Sequence, residues 1–181
     1  LPLKCRKVLD LGCGTGLELD KIWQKNPDIE VTGVDLCQSM LNKLQEKHSD
    51  KPLTTICQDY FQYDFGNGKW DAVISFESLH HFLPERKIDL YRKIFHSLKD
   101  GGIFILGDYI ACCDEEEALL RGVYLKKRTL SPIAENCFVH FDIPLTLDHE
   151  KDLLQNVGFT IEEVLRNPDN ATIITAAKTL P

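Results

Sequence analysis

Val8-Leu9-Asp10-Leu11-Gly12-Cys13-Gly14-Thr15-Gly16 is the stretch on which the reading of the fold turns. Val8 to Leu11 is a short apolar run stopped by glycine, the pattern of a strand buried on both faces. Glycines then stand at alternate positions, where the backbone can approach a ligand closely and take positive φ. From Thr15 to Asn26 the apolar residues Leu19, Ile22 and Trp23 fall at helical spacing, with Pro27 just beyond the end. A strand, a glycine loop and a helix in that order place the free N–H groups and partial positive charge of a helix N-terminus over the loop, where a polar ligand can sit.

Working outward, the same alternation repeats. Glu30 to Val34 reads as a strand, Ser39 to His48 as a helix with Met40, Leu41 and Leu44 inward, and Leu53 to Cys57 as a third strand. Trp70 to Phe76 follows the Gly66-Asn67-Gly68 turn as a fourth strand. Pro84 suits the first turn of a helix to Leu98, whose stripe is Ile88, Tyr91, Ile94, Phe95 and Leu98. Gly101-Gly102 leads into a fifth strand, Ile103 to Leu106. Asp114 to Arg128 reads as a further helix with acidic residues at its positive end, and Pro132 to Leu145 as irregular. Asp148 to Val157 is a helix closed by Gly158. Thr160 to Leu165 and Ala171 to Ala177, around a turn at Pro168-Asp169-Asn170, make a closing hairpin. Strands alternating with helices imply an α/β protein with a mostly parallel sheet covered on both faces. Two strands joined by so few residues must be antiparallel.

Composition narrows the function classes. The 181 residues are 43% hydrophobic and 27% charged, which fits one ordinary globular domain. A formal net charge of −7 makes nucleic acid or anionic membrane a poor default partner, so nucleic acid is possible but not favoured. No apolar run approaches the roughly 18 residues that span a membrane, and Leu1 to Lys7 lacks a signal-peptide core. Seven cysteines, no Cys-x-x-Cys and an adjacent Cys112-Cys113 pair give neither a disulfide framework nor a zinc site, so reduced thiols, a cytoplasmic location and no metal are expected. The basic cluster Lys126-Lys127-Arg128 reads as a solvated helix end rather than a phosphate site.

The identity of the ligand rests on spacing. Asp35 ends the second strand, where Rossmann-like sheets place a carboxylate about 20 residues after the glycine loop to grip ribose hydroxyls. Dinucleotide enzymes carry G-x-G-x-x-G, whereas Gly12, Gly14 and Gly16 form G-x-G-x-G after Asp10. That loop resembles the signature of class I S-adenosylmethionine-dependent methyltransferases, and the resemblance extends over nearly the whole chain. It implies a Rossmann-like three-layer αβα sandwich with a seven-stranded sheet of order 3-2-1-4-5-7-6, strand 7 antiparallel. It also implies S-adenosyl-L-methionine as cofactor. The loop residues Asp10, Gly12, Cys13, Gly14 and Gly16 would cradle it, Asp35 would hold its ribose, and Leu36 would pack on adenine. Asp59 and Tyr60, in Gln58-Asp59-Tyr60, match the adenine-amino segment, and Phe76 and Glu77 the segment beside the methionine part. Leu98-Lys99-Asp100-Gly101-Gly102 resembles the family's turn before its fifth strand, with Asp100 in place of proline. Members carry helices ahead of the first strand, so residues 1–181 are expected to form a single domain lacking those cap helices, with an unusually open site. Residues 109–147 are expected to be a substrate-side insertion or lid.

A methyl acceptor that must lose a proton needs a base. His80 and His81 follow the fourth strand, on the edge where ligands bind, and His81 is the first choice. Asp108, at the end of the fifth strand, and His140 are expected to line the acceptor pocket, with Asp142 and His149 nearby in sequence. The acceptor is expected to be a small molecule. Other readings stay open. Ile143-Pro144-Leu145-Thr146 with His149 and Val157-Gly158-Phe159 has a layout similar to part of the carboxy-S-adenosylmethionine synthases, and the insertion resembles some tRNA-modifying members. A nicotinamide-dependent oxidoreductase is opposed by the loop spacing and by the lack of a Tyr-x-x-x-Lys pair after the fourth strand. A non-catalytic cofactor-binding module is the remaining alternative.

Overall fold

A computed structural model describes residues 1–2, 4–130, 138–166 and 171–179. The elements are β1 (Lys7–Leu11), α1 (Leu19–Lys25), β2 (Glu30–Asp35), α2 (Gln38–Lys47), β3 (Leu53–Cys57) and β4 (Trp70–Phe76). A 3-10 turn (Leu79–His81), α3 (Pro84–Ser97), β5 (Leu98–Tyr109), α4 (Asp114–Leu130), α5 (Leu147–Val157), β6 (Thr160–Arg166) and β7 (Ala171–Ala177) complete them. One sheet of seven strands runs β3-β2-β1-β4-β5-β7-β6, the order implied by the resemblance. The strands from β3 to β5 pair in parallel, and β7 lies antiparallel between β5 and β6.

Alternate residues of each strand feed two cores, as the period of two requires. On one face Leu19 and Trp23 of α1 and Leu41 and Leu44 of α2 pack on Val8, Val31, Ala72 and Ile74. On the other, Leu90, Tyr91 and Ile94 of α3 and Leu154 of α5 pack on Leu9, Leu11, Val73, Phe104 and Ile174. The first of these layers stops short. Beyond α1 a trough of about 820 Å³ runs over Phe76, Ile105, Ile173 and Leu165, bordered by Lys21 and Glu163. Among the described residues no helix is long and apolar enough to cross a membrane.

Four elements differ from their reading in the sequence: in α2, Met40 is 44% exposed and borders the glycine loop rather than pointing inward, and three others differ for local reasons. First, α1 begins at Leu19 rather than Thr15. The N–H of Gly16 bonds the carbonyl of Cys13, and Gly16 has φ +68°, so the helix cannot start until that turn is complete. Second, β5 starts at Leu98 and carries through Gly101-Gly102 to Tyr109, because Lys178 exchanges backbone hydrogen bonds with Gly101 and Gly102 and Leu98 pairs with Trp70. Third, the buried side of α3 is Lys87, Leu90, Tyr91, Ile94 and Ser97 rather than the stripe through Ile88 and Phe95. The Lys87 ammonium donates to Glu150 Oε2 at 2.5 Å and the Tyr91 hydroxyl donates to the other oxygen, so α5 recruits a lysine into the interior. The turn at Pro168 to Asn170 lies outside the described residues.

The parallel strands all end at one edge, and the loops after β1, β2, β3, β4 and β5 converge there. Phe76 and Gly107 are directly paired between β4 and β5. A Cβ on Gly107 would stand 2.2 Å from the Phe76 ring. This edge is where open α/β sheets bind ligands.

Candidate active site

Two adjoining hollows flank the glycine loop at the carboxyl edge. One, of about 570 Å³, is bounded by Gly12 and Gly14, by Asp35, Leu36, Cys37 and Met40, and by Asp59 and Tyr60. Its far wall is Glu77, Ser78, His81, Phe82, Phe138 and His140. The other, of about 500 Å³, lies against Cys13, Gly16, Glu18 and Phe76. Sites for cofactor-sized ligands commonly have volumes of about 300–1,000 Å³.

Gly12 has φ +75°, and a Cβ there would sit 2.3 Å from Ser78 Oγ. That hydroxyl is 3.0 Å from the Tyr60 hydroxyl, so the loop, the end of β4 and the segment after β3 close on one another. Asp35 is tied to the same loop: its Oδ2 accepts the Gly14 N–H at 2.9 Å and its Oδ1 the Cys37 N–H at 2.7 Å. Each oxygen retains a lone pair for a ligand hydroxyl. Asp59 Oδ1 accepts the Phe61 N–H at 2.9 Å, which orients the carboxylate beside Tyr60. Leu36 is 58% exposed, an apolar surface on the hollow.

Asp10 is the exception in this polar network. It is fully buried, and no N–H or cationic group donates to either carboxylate oxygen; the side chain that faces it is the Glu18 carboxyl. Burial, then the neighbouring carboxylate of Glu18, pushes its pKa well above the ordinary carboxylate range. A buried acid beside another is costly until a positive charge arrives. Glu77 is the only non-glycine residue with positive φ among those described, at 47°, where its N–H donates to the Gly107 carbonyl at 2.8 Å. Such backbone costs about 1–3 kcal/mol and concentrates at functional sites.

The opposite wall is built on Asp108. Its Oδ2 accepts the N–H groups of Leu79 at 3.0 Å and His80 at 2.9 Å, and its Oδ1 accepts the Tyr109 N–H at 3.0 Å. His80 Nδ1 also bonds Oδ1. Burial opposes charge on His80, but the hydrogen bond and charge of Asp108 outweigh it and its pKa is raised. For His81 burial and the charge of His80 act together, and its pKa is lowered. His81 Nδ1 lies 3.3 Å from the Phe141 carbonyl and 3.2 Å from Asp142 Oδ1. Its ring is 4.4 Å from that of His140 and 5.7 Å from Phe138.

Of the cofactor residues read from the sequence, Gly12, Gly14, Asp35, Leu36, Asp59, Tyr60 and Glu77 lie on the larger hollow and Cys13, Gly16 and Phe76 on the smaller. Asp10 lies buried in β1 beneath the loop. His81 and His140 come together on one wall, while Asp108, 1% exposed, stands behind that wall and reaches it through His80. His149 pairs with Glu117 at 2.9 Å and borders a separate hollow beside Cys112 and Arg166. Ser78 and Phe138 were not singled out in the sequence. Ser78 meets Gly12 and Tyr60, and Phe138 meets His81 and Phe82, all distant along the chain, and no local pattern marks either residue.

Comparison with known proteins gives a consistent picture. Residues 8–102, more than half of the 181-residue chain, match the family described as a methyltransferase domain. Among curated proteins, the carboxy-S-adenosyl-L-methionine synthase of Nautilia profundicola is 25% identical over 179 residues, covering 93% of this chain and 76% of that one. The enzyme of the same name from Campylobacter fetus is 28% identical over 179 residues, with the same coverage of 93% and 76%. Among solved structures, a candidate O-methyltransferase from Nostoc punctiforme superposes with a TM-score of 0.74 at 27% identity, covering 97% of this chain and 52% of that one. This chain therefore spans about half the length of that structure. A Methanosarcina mazei S-adenosylmethionine-dependent methyltransferase shares the fold, with a TM-score of 0.74, 18% identity, and coverage of 99% and 95%.

Proposed function

Because the chain belongs to the methyltransferase-domain family, we propose that it binds S-adenosyl-L-methionine along the glycine loop and methylates a small acceptor held against the His81–His140 wall. The observation that carries this reading is the pair of acids on either side of the loop. Asp35 faces the hollow with lone pairs to spare, and Asp10 is buried beside the Glu18 carboxyl with no positive charge to balance it. A ligand with vicinal hydroxyls at one end and positive charge at the other meets both needs.

In this reading Asp35 holds the ribose, Asp59 the adenine amino group, and Leu36 and Tyr60 the faces of the base. The loop residues Gly12, Cys13, Gly14 and Gly16 admit the ligand closely, Asp10 supplies negative charge beneath the loop, and Phe76 and Glu77 border the methionine end. When bound, S-adenosylmethionine supplies a methyl group already activated on a sulfonium, so the chain has to bind, orient and exclude water. Alignment of that kind can lower a barrier by several kcal/mol, up to about 7–11. His81, kept neutral by burial and by His80, takes the proton of an acceptor that must lose one, a contribution of about 10²–10⁴-fold. Asp108 acts through His80 as a positioning residue, and His140 borders the acceptor. From the stretch 109–147, Phe138 and His140 stand on that wall, which supports its assignment to the acceptor side. The described cysteines are all free thiols, which supports a reducing, cytoplasmic setting.

A second reading is favoured by the names of the curated relatives: the chain remodels the cofactor itself, as a carboxy-S-adenosyl-L-methionine synthase does. Calorimetric titration of wild type and Asp35→Ala with S-adenosylmethionine, S-adenosylhomocysteine and NAD tests the shared premise. Binding of both adenosyl ligands but not NAD, weakened at least tenfold by Asp35→Ala, is expected. Failure of both adenosyl ligands to bind wild type overturns the proposal. Mass spectrometry of the cofactor after turnover separates the two readings, since methyl transfer leaves S-adenosylhomocysteine and remodelling leaves a heavier carboxylated cofactor.

A further inference from the structure

His80, His81 and Asp142 each offer one donor atom, and the three atoms lie within 4.8 Å of one another. Asp142 Oδ1 is 3.4 Å from His80 Nε2 and 3.2 Å from His81 Nδ1. A tetrahedral ion with bonds of about 2.0–2.1 Å separates its donors by about 3.3 Å. The spacing around Asp142 is therefore already that of a coordination sphere.

The surroundings are also those of a metal site. The remaining nitrogen of His80 is taken by Asp108, and Asp108 is clamped by the backbone N–H groups of Leu79, His80 and Tyr109. A carboxylate behind the imidazole is the usual way a metal-binding histidine is oriented. The two imidazoles are buried, whereas Asp142 is 55% exposed on its side chain and gives an ion a route in. Two imidazoles and one carboxylate suit a cation of the zinc class, and three protein ligands leave one position open, the pattern of catalytic rather than structural zinc.

We propose that His80 Nε2, His81 Nδ1 and Asp142 Oδ1 bind one divalent cation of the zinc class at the edge of the acceptor wall. Its role rests on the methyltransferase reading. The cation takes an oxygen or sulfur atom of the acceptor as fourth ligand and lowers its pKa, so that the nucleophile is generated by coordination. In the loaded protein His81 is a ligand, with its proton on Nε2 and its contact to the Phe141 carbonyl released. The acceptor's proton passes to solvent at the exposed Asp142 edge of the site.

The test uses the full chain, freed of metal and titrated with Zn²⁺ by calorimetry and with Co²⁺ by visible absorption. One equivalent should bind, with the intense d–d bands of tetrahedral cobalt and no thiolate-to-cobalt charge-transfer band. Asp142→Asn, at an exposed position, should weaken Zn²⁺ binding at least tenfold and alter the cobalt bands, with circular dichroism unchanged. His80→Gln should do likewise. The proposal is overturned if wild type binds neither ion, if a thiolate band dominates, or if both variants bind Zn²⁺ as wild type does. S-adenosylmethionine is titrated separately on the same samples. Metal binding without cofactor binding overturns the methyltransferase reading and leaves the metal site standing, and the converse result does the opposite.

Discussion

Asp10 concentrates the conflict between stability and function in one side chain. Its raised pKa means that the folded chain retains a proton which the unfolded chain releases in the ordinary carboxylate range, near pH 4. Stability must therefore fall as pH rises from that range through the folded pKa, because over that window the unfolded state binds fewer protons. A cationic ligand reverses the preference by favouring the carboxylate, so its binding expels the proton and tightens as pH rises through the same window. Asp10→Asn should raise the melting temperature of the free protein at neutral pH, weaken S-adenosylmethionine binding and flatten its pH dependence. Calorimetry across pH in two buffers of different ionisation enthalpy reads the proton release directly. Gly12 gives a steric counterpart. Gly12→Ala adds a methyl 2.3 Å from Ser78 Oγ at φ +75°, and should destabilise the chain by about 1–3 kcal/mol in urea unfolding. Ser78→Gly in the same chain should recover the clash but not the backbone strain. At this scale the sequence was legible where the chemistry is local. Asp35 at a strand end after G-x-G-x-G stood out, whereas Asp108 was read as a pocket residue. Its real partners, Leu79 and His80, belong to a turn that only the β4–β5 pairing brings within reach.

Between elements, α3 and α5 are joined by the buried Lys87–Glu150–Tyr91 group. Removing one member of a buried ion pair leaves the other charged and unpaired, at a cost of about 3–5 kcal/mol. Glu150→Ala is expected to show that loss in urea unfolding. Lys87→Met combined with Glu150→Leu should recover most of it, since apolar replacement of both partners removes the desolvation penalty. Periodicity located α3 but turned its buried side, because hydrophobicity alone ranks Ile88 above Lys87. The pairing that reverses this order comes from α5, far along the chain. The late start of α1 has a similar origin, in which the glycine loop spends Gly16 on a turn that a helix template would claim.

For the molecule as a whole, ligand binding should appear as thermal stability. At a hundredfold excess over its dissociation constant a ligand adds about 2.7 kcal/mol. For a chain of this size that corresponds to about 5–11 °C in melting temperature, at about 2–4 °C per kcal/mol. Scanning fluorimetry should show this shift with S-adenosylmethionine and none with NAD. Asp35→Ala at the same ligand concentration should lose about 1.4 kcal/mol of it, the equivalent of a tenfold affinity change. The α/β class was legible because strand and helix periods alternate without interruption, and the closing hairpin because so short a connection cannot join parallel strands. Strand order came from the resemblance, since pairing across the sheet leaves no trace in any single segment. The uneven covering of the sheet was not legible either. Ile105, Ile173 and Leu165 carry no local mark of exposure in their strands, yet they border the trough beyond α1.

The pairing of Phe76 with Gly107 constrains the history of this chain as well as its packing. A ring at one position occupies the space that any side chain at the other would need, 2.2 Å from the nearest ring atom. The constraint runs one way. A lineage that enlarges position 107 must first surrender the aromatic ring at position 76, and with it one border of the smaller hollow, so glycine at 107 should accompany every aromatic residue at 76.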